Sequence, residues 1–207
     1  MNLGDPGHKC STCAIMKATK PLLMFLFLSA VAAIGGEFDD QLAKAKDGDV
    51  VAQMRVAELY TKGEGVAKNP KEAVDWLQKA AAQGNADAQL SLGKLYLSGK
   101  GIPKNSAEAA RWFKLAAEQG RAAAQLQMAR MHLAGAGVLK DDVEACKWAM
   151  LASQQGEAQA KQIIAVAGQR MTAEQRTQAD TLAREFLEKK SSDDAMKGIP
   201  PVAPPLE

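Results

Sequence analysis

The sequence predicts an all-α fold, an α-solenoid of tandem helix-turn-helix repeats, and three observations predict it. Gly48, Gly84, Gly120 and Gly156 stand 36 positions apart. Between them the same string recurs three times in register. Ala-Gln-Met-Arg-Val-Ala-Glu-Leu-Tyr, Ala-Gln-Leu-Ser-Leu-Gly-Lys-Leu-Tyr and Ala-Gln-Leu-Gln-Met-Ala-Arg-Met-His begin at Ala52, Ala88 and Ala124. A fixed period of this length is the mark of stacked supersecondary units, none of which buries its apolar face alone. The third observation is composition: aromatic residues make up only 5% of a chain that is 47% hydrophobic and rich in alanine. Such a chain suits close-packed helices better than a sheet of β-branched residues.

The first helix of each unit is expected over about 50–60 and its two 36-residue images. Ala52, Val56 and Leu59 lie at helical spacing and mark its buried stripe. Ala57, Gly93 and Ala129 are small, so a neighbouring helix can come close. The pairs Gly63 and Gly65, Gly99 and Gly101, and Gly135 and Gly137 then end the helix and turn the chain, because glycine tolerates the left-handed conformation of a C-cap. Each second helix opens on an N-cap residue with glutamate three positions later: Asn69 and Glu72, Asn105 and Glu108, Asp141 and Glu144. Pro70 adds a first-position proline. Trp76, Trp112 and Trp148 each share a face with alanines two turns or less away, and each is expected to fill the gap those alanines leave. On that placement Trp112→Ala would cost about 3–5 kcal/mol through the cavity it opens.

These columns resemble the Sel-one-like repeat family, helix-turn-helix relatives of the tetratricopeptide repeats. The family pattern, Ala…Leu-Gly-x-x-Tyr-x-x-Gly-x-Gly-Val followed by Ala-x-x-Trp-x-x-Lys-Ala-Ala-x-x-Gly, is met most closely by 88–120. The resemblance covers about 37–190. It implies a curved solenoid that scaffolds protein complexes, often at bacterial envelopes or during host contact.

The organisation follows from the repeat. Residues 37–47 are expected as an N-terminal capping helix, 48–155 as three full repeats, and 156–190 as a degenerate C-terminal capping repeat that has lost its Gly-x-Gly and its tryptophan. Thr172 to Gln175 would start the last helix. Residues 191–207, with Pro200, Pro201, Pro204 and Pro205, read as an unpacked proline-rich tail. Residues 1–36 read as a targeting segment. Translation is expected to start at Met16, where Lys17 and Lys20 precede an apolar run from Leu22 to Ile34 and small residues sit at cleavage spacing. Thirteen apolar residues fall short of the ~20 needed to cross a bilayer, so a cleaved signal and a periplasmic or secreted body are expected, with a membrane tether through an uncleaved signal as the alternative.

That segment carries Lys9, Lys17, Lys20 and Asp5, which leaves 23 basic and 23 acidic residues in the body. A neutral body lacks the field that nucleic acid or an anionic membrane calls for. Catalytic chemistry has little to work with. Cys10 and Cys13, with His8, lack a second ligand pair for zinc, and they precede the signal. Cys146 falls in the column of Val74 and Ala110 and reads as a small buried residue. His132 takes the column of Tyr60 and Tyr96. No Ser–His–acid set, metal set or phosphate loop can be assembled, so no cofactor is expected. The resemblance offers one enzymatic alternative, since a cysteine-rich branch of the family is associated with β-lactam hydrolysis or binding. Its members pair two cysteines in each repeat, and this body has Cys146 alone.

The columns that vary between units point to the binding face. Arg55, Ser91 and Gln127 form one, Glu58, Lys94 and Arg130 a second, and Lys62 and Ser98 a third. They lie three and four residues apart on the first helices and would form one stripe across successive units, open to a protein or peptide partner.

Overall fold

A computed structural model describes residues 36–197. Residues 36–46 form α1, followed by α2 (Val50–Lys62), α3 (Pro70–Ala82), α4 (Ala86–Ser98), α5 (Ser106–Glu118), α6 (Ala122–Ala134), α7 (Asp142–Gln154), α8 (Ala158–Arg170) and α9 (Ala173–Lys197). No strand occurs among the described residues. Each helix packs on the next through α8, so α2–α3, α4–α5 and α6–α7 are the three hairpins of a solenoid. All but residue 36 of the segment expected to act in targeting lies outside the described residues, with Met16, Cys10, Cys13 and His8, as do the residues from 198.

The ends of the helices follow the sequence closely. Gly63, Gly99 and Gly135 adopt left-handed φ values of 81°, 68° and 69°, and each donates its N–H to the carbonyl four residues back. In the second and third pairs the second glycine has a further role. A Cβ on Gly101 would collide with Pro70, and one on Gly137 with the backbone of Ser106. The turn of one unit therefore rests on the start of the second helix of the unit before. The side chains of Asn69, Asn105 and Asp141 accept from the amide of the residue three positions on, as expected of N-caps. In a reciprocal capping box the glutamate would accept from the N-cap amide in return, and here that half takes another form. The N-cap amides donate instead to the carbonyls of Tyr60, Tyr96 and His132, at 3.0, 2.9 and 3.1 Å, which ties each second helix to the end of its own first helix. A reciprocal box forms at Thr172 and Gln175, at the start of α9.

The core is built from alanine and a few large plugs. Ala52, Val56 and Leu59 are buried, as are Trp76 and Trp148. Trp112 departs from expectation. It is half-buried at the edge of the core, while Phe113 beside it is fully enclosed. The reason lies across the interface at Gly93, where a Cβ would come within 2.5 Å of the Phe113 ring. In this unit the missing side chain makes room for phenylalanine, and the indole is displaced outward.

A layer of buried glutamines runs through this apolar core. Gln53, Gln89 and Gln125 donate to the carbonyls of Ala45, Ala81 and Ala117, at 3.1, 3.3 and 3.2 Å, on the preceding second helix. Each accepts in turn from the glutamine that ends its own second helix, Gln83, Gln119 or Gln155, at 2.7–2.9 Å. Every clamp thus joins three helices, and no buried side-chain polar atom among the described residues lacks a partner.

The ends differ from the middle. α1 takes the place of a second helix, with Phe38 and Ala45 buried and the Phe38 ring edge-on to Tyr60 at 5.3 Å. α9 is 25 residues long and makes its main contact with α7, where Phe186 meets Trp148 edge-on at 5.5 Å. Lys190 reaches the carbonyl of Gln119 at 2.6 Å. Helix continues to Lys197, seven residues beyond the point where the sequence suggested a tail, although Ser191 to Ala195 stay exposed. Lysine, serine and aspartate in this stretch permit helix without supplying an apolar face, so nothing in the hydrophobic pattern marks it.

Candidate functional site, a groove between the first helices

α2 and α4 approach each other less closely than α6 and α8, although they share one apolar core. The opening between α2 and α4 is a groove of about 1160 Å³. Arg55, Glu58 and Lys62 from α2, Ser91, Lys94 and Ser98 from α4, and Gln127 from α6 all line it. Arg130 does not. Its guanidinium is bonded to Gln159 of α8, the helix that closes the gap at that end. Between the polar groups lie Met54, Leu95, Leu97 and the highly exposed Val51, a surface the search for variable polar columns overlooked. Val51 stands at the start of a helix outside the buried stripe, and that position was its available signal.

Electrostatics divides the groove in two. On the first unit the charges are mutually satisfied. Arg55 meets Glu37 at 2.6 Å and Glu58 at 2.9 Å, and Lys62 meets Glu58 at 2.6 Å. Hydrogen bonding to Lys62, then to Arg55, holds the Glu58 carboxyl below the ordinary glutamate range. Hydrogen bonding to Glu37, then to Glu58, raises Arg55, and Glu58 raises Lys62. At the groove's edge Asp87 pairs with Arg121. Lys94 and Lys100 have no ion-pair partner among the described residues.

His132 is half-buried, its Nδ1 3.3 Å from the carbonyl of Leu139. Cys146 is enclosed by Ala167, Met171 and Ala179, and burial, with Asp180 nearby, pushes its thiol pKa up, away from the reactive thiolate. No metal-holding cluster of His, Cys, Asp or Glu occurs among the described residues, and no described helix is long and apolar enough to cross a membrane.

Comparison with known proteins adds the family. No curated protein matches the chain. A Sel1 repeat protein from Oxalobacter formigenes shares 40% identity over 58% of this chain and 49% of its own, with a TM-score of 0.56. The protective antigen c5321 of uropathogenic Escherichia coli, which displays the same repeat fold, shares 29% over 82% of this chain and 45% of its own, also at 0.56. The chain therefore spans about half the length of these two relatives. Helicobacter pylori cysteine rich protein B, at 20% identity over 63% of this chain and 96% of its own, with a TM-score of 0.51, is alike in fold alone. The Sel1 repeat model matches residues 50–85, 86–120 and 122–157, the three hairpins with their turns. The chain belongs to the Sel1 repeat family, whose members are generally non-catalytic scaffolds for protein interaction.

Proposed function

We propose that this protein is an exported, non-catalytic scaffold that receives a protein partner along the groove between α2 and α4. One observation carries the reading: side chains that differ from unit to unit, on helices whose buried stripes hardly differ, converge on a single opening with apolar surface at its base. Core columns answer to packing, so variation gathered on one exposed surface fits selection of a particular partner. The absence of paired cysteines and the enclosure of Cys146 speak against the β-lactam chemistry of the cysteine-rich branch, and hydrolysis of a chromogenic β-lactam by the purified chain would overturn that part. Export rests on the segment before residue 37. A mature N-terminus between about Ala33 and Glu37 is expected, and an intact N-terminal segment would favour a tethered scaffold.

The test is affinity capture with the full chain against a copy carrying Arg55→Glu, Glu58→Lys and Lys94→Glu. These are surface positions, so the variant is expected to stay folded with only a small loss of stability from the exposed ion pairs it breaks, which a thermal melt checks. Loss of the captured partner from the variant supports the groove. Retention of the same partner would remove it.

A further inference from the structure

We infer that the groove takes an extended, acidic peptide segment, with a carboxylate over α4 and apolar side chains between α2 and α4. This rests on the groove reading above and names the chemistry of its occupant. The argument is charge complementarity. Along the column Glu58, Lys94, Arg130 the sign turns from negative to positive after the first unit. On that unit Glu58 and Glu37 already satisfy Arg55 and Lys62. On the second, Lys94 and Lys100 face the opening with no carboxylate among the described residues to meet them, and the neighbouring Ser91 and Ser98 are neutral. A partner's carboxylate supplies the missing charge. Val51, Met54, Leu95 and Leu97 give its flanking side chains an apolar seat. Each bordering helix has 13 residues, about 20 Å at the helical rise, which an extended segment of about six residues spans. The lining has no aromatic ring on which a nucleic-acid base could stack, and the body is neutral, so a protein segment is favoured over a nucleic acid.

The experiment uses the full chain and three fluorescein-labelled hexapeptide pools built from Leu, Val and Pro around one central residue, which is Glu, Gln or Lys. Anisotropy at low salt is expected to show the Glu pool binding about fivefold tighter than the Gln pool, the scale of two exposed charge pairs, and the Lys pool weakest. High salt, or the double variant Lys94→Gln and Lys100→Gln, should erase the preference for Glu over Gln. Equal binding of the Glu and Gln pools would overturn the acidic occupant while leaving the groove intact, as would a Glu preference that survives the double variant. Binding insensitive to Met54→Asp, or no binding by any pool, would overturn the occupant and the groove together.

Discussion

At the residue scale, Phe113 and Gly93 form one fitted pair, because the ring occupies the volume a side chain at 93 would need. Phe113→Ala is expected to cost about 3–5 kcal/mol by leaving that volume empty, whereas the neighbouring Trp112→Ala, at the edge of the core, should cost about 1–2 kcal/mol. Urea titration of the two variants checks the order, and a larger loss at Trp112 would contradict the exchange of roles. The tryptophan column was plain in the sequence and is right for Trp76 and Trp148. It misleads at 112 because burial there is decided by a glycine on another helix, a pairing that spacing along one helix does not report. The glutamines were just as visible in the repeated Ala-Gln, yet a polar residue in a conserved-looking string gives no sign of being enclosed until the carbonyl it serves, eight residues back on another helix, is known.

At the element scale, the helices and their turns were legible because each boundary carries its own chemistry: glycine where φ is positive, asparagine or aspartate where orphan amides need an acceptor. The attachment of α1 was less so, since besides its buried Phe38 and Ala45 it involves Gln53 donating to the Ala45 carbonyl and Arg55 reaching back to Glu37. Arg55 is also bonded to Glu58, whose carboxyl has a lowered pKa in the folded chain. A lowered folded-state value stabilises above the unfolded value and loses that contribution as pH falls through the folded one. Glu58→Gln is therefore expected to lower the urea midpoint slightly at neutral pH, with the difference closing as pH drops below the ordinary value of 4.5. The effect is small because all of these groups are substantially exposed. A difference that grew with acid would refute the assignment. The length of α9 was illegible for a different reason: a solvated helix beyond the last packed turn has no periodic apolar signal to announce it.

At the scale of the whole molecule, the repeat made the architecture and the stripe of variable side chains readable, while the groove itself depends on which first helices touch. α8 approaching α6 takes Arg130 out of the opening, whereas α2 and α4 approach each other less closely and leave it open. Cooperation along the array runs through the glutamine clamps, since each joins neighbouring units. Gln125→Leu removes one of the donors to the Ala117 carbonyl, which keeps the N–H of Gly120, and removes the acceptor of the Gln155 amide. A loss of about 1–3 kcal/mol is expected. Hydrogen exchange should show weakened protection on α5 and α7 together, and loosening confined to α6 would argue against the clamp as a coupling device.

Those clamps also bear on how such a chain can grow. A duplicated block of 36 residues inserted between the second and third hairpins would bring its own pair of glutamines and find an alanine carbonyl waiting on one side and a recipient on the other. At the next position in the series Lys161 can donate but has no oxygen to offer, so the clamp does not recur on α8. Growth by whole units therefore keeps every clamp closed, whereas a shorter insertion within a unit would part a glutamine from its carbonyl eight residues back or from its partner 30 residues on.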